Sequence, residues 1–160
     1  MSGRMTRPEH EIDADRYRFA VVIAEFHSDI TSRLLDGARE CFAKYGATHV
    51  TEHWVPGAFE LPLAAQLLAE TGRYEAVVTL GCVIRGETPH FQYVSGECAR
   101  GLQQAMLATG VPIAFGVLTT NAVEEALARA GDGPSNKGWE AAAAAVEMAT
   151  VLSALAGRQR

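Results

Sequence analysis

The chain has 160 residues, of which 48% are hydrophobic and 21% charged, so it is long enough for one globular domain with a real core. Its formal net charge of −5 argues against a nucleic-acid partner, because binding a phosphate backbone requires clustered Lys and Arg. The three cysteines form no CxxC motif, which argues against a disulfide framework. Since we find no signal peptide or membrane span either, we expect a cytoplasmic protein without membrane contact.

Apolar runs typical of strands alternate with helical patterns along the chain. The runs predict strands over 19–25, 48–55, 74–84 and 112–120. The helical patterns predict helices over 30–46, 59–72, 89–109, 122–131 and 137–157. This order indicates a four-stranded, mostly parallel sheet with helices on both faces. We assign residues 18–160 to a single domain and residues 1–17 to a flexible arm, either disordered or laid on a partner subunit.

Unusual side chains follow the carboxyl ends of the predicted strands, where open α/β sheets bind their ligands. Phe26 follows the first strand, Glu60 the second, the segment 85–90 the third and the segment 119–121 the fourth, with Phe115 inside that last strand. Aromatic faces combined with a few polar groups favour a pocket for a flat heterocycle.

Each of these residues also has a purely structural interpretation. Phe26 and Phe115 are compatible with core positions, and Glu60 with a first-turn carboxylate that faces the helix dipole. Cys82 and Cys98 have no electropositive neighbour in the sequence, which is typical of inert buried thiols.

The segment after the third strand favours an anion site. Thr88 followed by Pro89 is a helix-start signal, in which the hydroxyl caps the helix and proline takes the first helical position. The amides of residues 86–88 then lie at the positive end of that helix. His90 falls in the first turn, where the same field disfavours the imidazolium, so we expect a neutral ring that can transfer protons.

A phosphate would require further cations, and Arg129 and Lys137 are the candidates, although either can be a surface charge. In an oligomer, a neighbouring subunit could supply them. We predict no metal site. His49 and His53 would lie about 13 Å apart on a strand, and no HExxH motif or Cys/His cluster occurs.

Four segments resemble the signature segments of the lumazine synthase family, in the family's order and at compatible spacing. They are WVPGAFELP (54–62), GCVIRGETPHFQYV (81–94), FGVLTTN (115–121) and NKGWEAA (136–142). The similarity extends from about Phe19 to Leu155. It implies a flavodoxin-like three-layer αβα sandwich that assembles into pentamers, in some members twelve pentamers in an icosahedral shell, with active sites between subunits.

The resemblance also implies a reaction. 5-Amino-6-(D-ribitylamino)uracil condenses with 3,4-dihydroxy-2-butanone 4-phosphate to 6,7-dimethyl-8-ribityllumazine, with release of phosphate and water and with no cofactor. This is a transferase step of riboflavin biosynthesis, and riboflavin synthase is a candidate partner.

Roles for individual residues follow from the resemblance. His90 would transfer protons. The residues that would hold the ribitylaminouracil are Phe26, Ala58, Phe59, Glu60, Cys82, Val83, Ile84 and, from a neighbour, Phe115. The residues that would hold the butanone phosphate are Glu87, Thr88, Arg129 from the adjacent subunit, and Lys137.

The chain departs from the family pattern at two places. His27 stands where many members have Asn, and Pro134 lies in the GDGPSN segment, which leaves pentamer and shell both open. A rival interpretation is a non-catalytic flavin- or nucleotide-binding module, although the HSDITS loop lacks glycine and no GxGxxG motif occurs. A third is a structural shell protein without activity.

Overall fold

The computed structural model describes residues 12–157. The strands are β1 (Arg18–Ala24), β2 (His49–Val55), β3 (Ala76–Ile84) and β4 (Ile113–Thr120). The helices are α1 (Ser28–Lys44), α2 (Leu61–Glu70), α3 (His90–Thr109), α4 (Val123–Ala128) and α5 (Lys137–Leu155). All nine predicted elements are therefore confirmed, with ends that shift by up to three residues.

The four strands form one sheet in the order β2-β1-β3-β4, and every neighbouring pair is parallel. This is the strand order of flavodoxin-like folds, so the predicted architecture is confirmed. Successive side chains of β1 alternate between two cores. Val21 and Ile23 pack beneath α1, α4 and α5, whereas Ala20 and Val22 pack beneath α2 and α3. The sheet is thus covered on both faces.

The last part of the predicted arm packs on the domain. Ala14 and Tyr17 are buried in the core beneath α1 and α5, and the Ala14 N–H donates to the Tyr45 carbonyl at 2.9 Å. Residues 1–11 of the arm lie outside the described residues. That the arm is either disordered or laid on a partner subunit stays a prediction.

Helix α5 buries a face of small residues against the sheet. Ala142, Ala145 and Val146 are at most 1% exposed, and Ala141 and Ala149 are also buried. The helix predicted over 137–157 is therefore a packed helix of the core. Within residues 12–157, the structure contains no helix that is both long and apolar enough to cross a membrane.

Helix α3 begins differently from the prediction. It starts at His90, with Pro89 at the N-cap position and no side-chain cap. The Pro89 carbonyl accepts a hydrogen bond from the Gln92 N–H at 2.9 Å. Thr88 therefore lies one residue before the N-cap, and the predicted capping by its hydroxyl is wrong.

Candidate active site

Phe26 lies exposed at the carboxyl edge of the sheet. The pairing of β1 with β2 continues beyond both strands, because Glu25 N–H donates to the Val55 carbonyl at 2.8 Å and Phe26 N–H to the Pro56 carbonyl at 3.0 Å. These bonds hold Phe26 beside the residues that follow β2. Its side chain is 71% exposed, so the core interpretation is wrong for Phe26.

A sharp turn after Phe26 starts helix α1. His27 adopts the left-handed conformation with φ 59° and is the N-cap of α1; it is the one non-glycine residue with positive φ in the described chain. Its carbonyl accepts hydrogen bonds from the N–H groups of Ile30 and Thr31, both at 2.9 Å. The buried Thr31 hydroxyl donates to the Ala24 carbonyl at 2.8 Å and ties the helix back to β1. The turn thus fixes the direction of the chain on either side of Phe26.

Glu60 and Phe26 flank a common point beside Gly57. A Cβ atom added at Gly57 would lie 3.2 Å from Glu60 Oε2 and 3.7 Å from Phe26 Cδ2. A short 3₁₀ turn, Ala58–Glu60, places the carboxylate there before α2 begins. Within that turn Ala58 is buried, whereas Phe59 is 60% exposed. The aromatic face and the carboxylate predicted for a heterocycle site therefore do lie together.

The end of β3 is apolar and its thiol is buried. Cys82 is buried in one core and Val83 in the other, and Ile84 is partly buried. Burial, with a smaller contribution from the negative charge of Asp29, raises the pKa of the Cys82 thiol to about 11. Burial likewise raises the pKa of Cys98 to about 11, and all three cysteines are free and buried. The prediction that these thiols are buried is confirmed, and β3 presents mainly backbone to the rim.

The segment 85–90 extends the rim beside β1, because β3 is the neighbour of β1 in the sheet. All six residues are exposed, and open space surrounds Gly86. Arg85 N–H donates to the Thr120 carbonyl at 2.9 Å, and its Nε donates to Asn121 Oδ1 at 2.8 Å. The guanidinium lies 5.1 Å from the Phe91 ring centroid. No local pattern predicts this Arg85–Asn121 bond, because it joins residues 36 positions apart.

Arg129 and Lys137 lie together, on the α4–α5 side of the domain. Lys137 N–H donates to the Arg129 carbonyl at 2.9 Å. The Lys137 ammonium pairs with Glu140 at 2.9 Å, and Arg129 Nη1 donates to the Glu125 carbonyl at 2.9 Å. Within the described chain, neither cation forms a hydrogen bond or ion pair with residues 87–90.

Phe115 also lies apart from Phe26. It is in β4, at the edge of the sheet, five residues before the strand ends at Thr120. At the rise of a parallel strand this places it roughly 16 Å below the rim. The side chain is 51% exposed, so it is not a core residue. Within one chain, Phe26 and Glu60 lie together and segment 85–90 follows the neighbouring strand at the same edge, whereas Phe115 lies below that edge. Arg129 and Lys137 bond instead to residues of their own loop and helices.

Comparison with known proteins shows the family of the chain. The family profile of 6,7-dimethyl-8-ribityllumazine synthase matches residues 16–153. The 6,7-dimethyl-8-ribityllumazine synthase of Syntrophus aciditrophicus (strain SB) is 50% identical over 149 residues, which cover 92% of this chain and 97% of that protein. Neither match favours a non-catalytic flavin-binding module. The chain belongs to the 6,7-dimethyl-8-ribityllumazine synthase family.

Proposed function

We propose that this chain condenses 5-amino-6-(D-ribitylamino)uracil with 3,4-dihydroxy-2-butanone 4-phosphate to 6,7-dimethyl-8-ribityllumazine, releasing phosphate and water, as a transferase of riboflavin biosynthesis. The observation that carries the proposal is the convergence of the Phe26 ring and the Glu60 carboxylate beside Gly57, in a chain of this family. An aromatic face with one nearby carboxylate suits a flat, hydrogen-bonding heterocycle.

The ribitylaminouracil would lie on the exposed face of Phe26. In this arrangement Ala58, Phe59 and Glu60 line its ribityl side. The backbone at the end of β3 (Cys82, Val83 and Ile84) borders the heterocycle edge, since Cys82 and Val83 turn their side chains into the cores. The 71% exposure of Phe26 supports this role, because folding alone gains little by leaving an aromatic side chain in water.

The butanone phosphate would bind at the start of α3. This helix has 20 residues, and the structure gives its first turn no side-chain cap, so its amino end remains available to an anion. Glu87 and Thr88 lead into that turn, and open space around Gly86 allows a ligand to approach the backbone. Arg129 and Lys137 of an adjacent subunit would supply the positive charge.

His90 would move protons during the reaction. The amine of one substrate attacks the ketone of the other, the carbinolamine loses water, phosphate leaves, and the second amine closes the ring with loss of a second water. His90 is exposed at the first position of α3, next to the proposed phosphate site. Holding the two substrates in register can supply much of the acceleration, because the amine is already a competent nucleophile. A modest contribution from His90 then suffices.

The proposed site requires more than one copy of the chain. Phe115 lies below the Phe26 rim, and Arg129 and Lys137 form no hydrogen bond or ion pair with residues 87–90 among the described residues, so a neighbour would contribute all three. Helices α2 and α3 carry apolar side chains that are more than half exposed, as expected of an interface. They are Leu63, Leu67, Tyr93 and Leu107. We infer a homopentamer, either free or as one of twelve in a shell, located in the cytoplasm, with riboflavin synthase as a candidate partner.

An assay with both substrates tests the function directly. Purified protein is mixed with the ribitylaminouracil and the butanone phosphate, and lumazine absorbance is followed against a protein-free blank and against denatured protein. We expect clear acceleration by the native oligomer alone. A folded oligomer that binds FMN tightly but does not accelerate the reaction would instead support the flavin-binding alternative.

A further inference from the structure

Asn136 is a buried polar side chain whose carboxamide makes four hydrogen bonds. The residue is 3% exposed. Its Oδ1 accepts from the N–H groups of Gly138 at 2.8 Å and Trp139 at 3.1 Å, which caps helix α5. Its Nδ2 donates to the carbonyls of Arg33 at 3.1 Å and Gly131 at 2.9 Å. The side chain therefore joins the start of α5, the preceding loop and the middle of α1.

Helix capping accounts for only half of these bonds. An N-cap needs an acceptor for the first amides of the helix, and Asp or Ser supplies one as well as Asn. The two donated bonds have no capping role. They tie α5 and the loop to α1, across 103 positions of sequence in the case of Arg33.

The backbones of α1 and α5 approach each other closely around the Asn136 side chain. A Cβ atom at Gly37 of α1 would overlap the Asn136 carboxamide, and one at Gly138 would overlap the Leu34 carbonyl. The start of α5 thus lies directly against the α1 backbone, and Asn136 fills the gap beside Gly37. Lys137 lies between Asn136 and Gly138 in the chain, so the contacts of these two neighbours with α1 fix the backbone of Lys137.

The same anchor extends to Arg129. Residues 129–136 connect α4 to α5. Asn136 holds this loop through two bonds, from its Nδ2 to the Gly131 carbonyl at 2.9 Å and from its N–H to the Gly133 carbonyl at 3.1 Å. Lys137 N–H then donates to the Arg129 carbonyl at 2.9 Å. The backbones that carry the two cations are therefore tied to each other and, through Asn136, to α1.

We infer that Asn136 is a positioning residue, which fixes Arg129 and Lys137 on α1 so that a subunit can present both cations to the phosphate of the butanone substrate. This inference rests on the proposed function, because it takes the two cations as the phosphate-binding groups of a neighbouring site. Asn136 itself touches neither substrate. It acts through the loop that it anchors.

The Asn136→Asp variant separates the anchor from the cap. A carboxylate at this position still accepts from Gly138 and Trp139, but it donates nothing to the Arg33 and Gly131 carbonyls. We expect KM for the butanone phosphate to rise about tenfold, equivalent to ~1.4 kcal/mol of binding. The inhibition constant of inorganic phosphate should rise by a similar factor, whereas KM for the ribitylaminouracil should stay within about twofold.

A second variant disturbs the anchor from the other side. Gly37→Ala leaves Asn136 unchanged but places a methyl group where the carboxamide lies. We expect the same selective loss of phosphate affinity. Val146→Ala serves as the stability control. Val146 is fully buried in α5, about 13 Å along the helix from Lys137, so its truncation lowers the melting temperature without touching the loop.

The outcomes separate the two proposals. If the wild type is active, and Asn136→Asp and Gly37→Ala lose stability as Val146→Ala does but keep the wild-type inhibition constant of phosphate, the positioning role is overturned. If the wild type is inactive, the binding of inorganic phosphate, measured by calorimetry, still tests the anchor. Weaker phosphate binding in Asn136→Asp would then support the anchor even as the condensation fails, and no phosphate binding by the wild type would overturn both.

Discussion

Arg39 on α1 binds Glu52 on β2 through two parallel hydrogen bonds, from Nε to Oε2 at 2.8 Å and from Nη2 to Oε1 at 2.7 Å. This bidentate arrangement is the strong form of an arginine–carboxylate pair. Asp36, one turn earlier on α1, adds a second contact to Arg39 at 3.3 Å. The pair fixes the helix to an edge strand of the sheet. The hydrogen bond from Arg39 lowers the pKa of Glu52, and burial only partly opposes it.

The Glu52→Gln variant should be less stable than the wild type at neutral pH and equally stable in acid. Because the folded-state pKa of Glu52 is lowered, its stabilising effect is present above the unfolded pKa and is lost as pH falls through the folded value. A partly exposed bidentate pair is worth about 0.5–1 kcal/mol. The melting temperature should therefore fall by roughly 1–4 °C at pH 7. Thermal unfolding between pH 7 and pH 3 measures the difference.

Glu40→Gln provides the matched control for Glu52→Gln. It makes the same chemical change on α1, at a carboxylate that forms no ion pair among the described residues. We expect its melting temperature to follow that of the wild type at every pH. A constant difference between Glu52→Gln and the wild type, down to pH 3, would show that the pair does not act through ionisation.

The fold could be predicted because its signals are local. Apolar runs and helical periodicity located every strand and helix, and β1 is a near-continuous hydrophobic run because both faces of the sheet are covered. The ends of elements were less predictable. Periodicity does not distinguish the 3₁₀ turn at Ala58–Glu60 from the first turn of α2. The Thr88-Pro89 signal likewise fits a helix that starts one residue earlier than α3 does.

The site was predictable only where it depends on strand ends. Phe26 and Glu60 were expected at one rim, since parallel strands end at the same edge of the sheet. The Arg85–Asn121 bond and the contact of Asn136 with Arg33 depend instead on how distant elements pack. His27 predicted its left-handed conformation only weakly, because histidine is enriched in that conformation but adopts it much less readily than glycine.

The Phe26→Ala variant should lose substrate affinity but not stability. The side chain is 71% exposed, so its removal leaves little of the core uncovered. Stacking of an aromatic side chain on a base contributes about 1–3 kcal/mol, which predicts a KM for the ribitylaminouracil that rises roughly 5- to 150-fold. KM for the butanone phosphate should change much less. Steady-state kinetics with each substrate varied in turn measures both.

Phe26→Trp tests whether the aromatic face is what matters. A larger ring keeps the stacking surface, so we expect an affinity close to that of the wild type. Equal losses in Phe26→Ala and Phe26→Trp would argue that the heterocycle does not stack on this side chain.

The His90→Ala variant should be slower than the wild type but still faster than the uncatalysed reaction. Loss of general acid–base help costs about 10²-fold in kcat at the lower end of its usual range. Positioning of the two substrates by the remaining residues is unaffected, so KM for each should change little. Single-turnover absorbance measurements give the rate. A rate no greater than the protein-free blank would contradict the assignment of most catalysis to positioning.

Two glycines of α3 should respond to alanine with opposite signs. A Cβ atom at Gly101 would lie 2.8 Å from Cβ and 2.9 Å from Cγ of Pro62, so Gly101→Ala must push α3 away from the rigid first turn of α2. Such overpacking costs about 1–3 kcal/mol. Gly96 has nothing within 4 Å of its added Cβ, and alanine there raises helix stability by about 0.5–1 kcal/mol.

The two alanine variants differ only in what the new methyl group meets, so each is the control for the other. Denaturant unfolding should place Gly96→Ala above the wild type in midpoint and Gly101→Ala below it, with unchanged slopes. The assembly state needs to be compared as well, because α3 lies on the proposed interface. A loss of stability in Gly96→Ala that accompanies dissociation of the oligomer would mean that a neighbouring subunit packs against this exposed stretch of the helix.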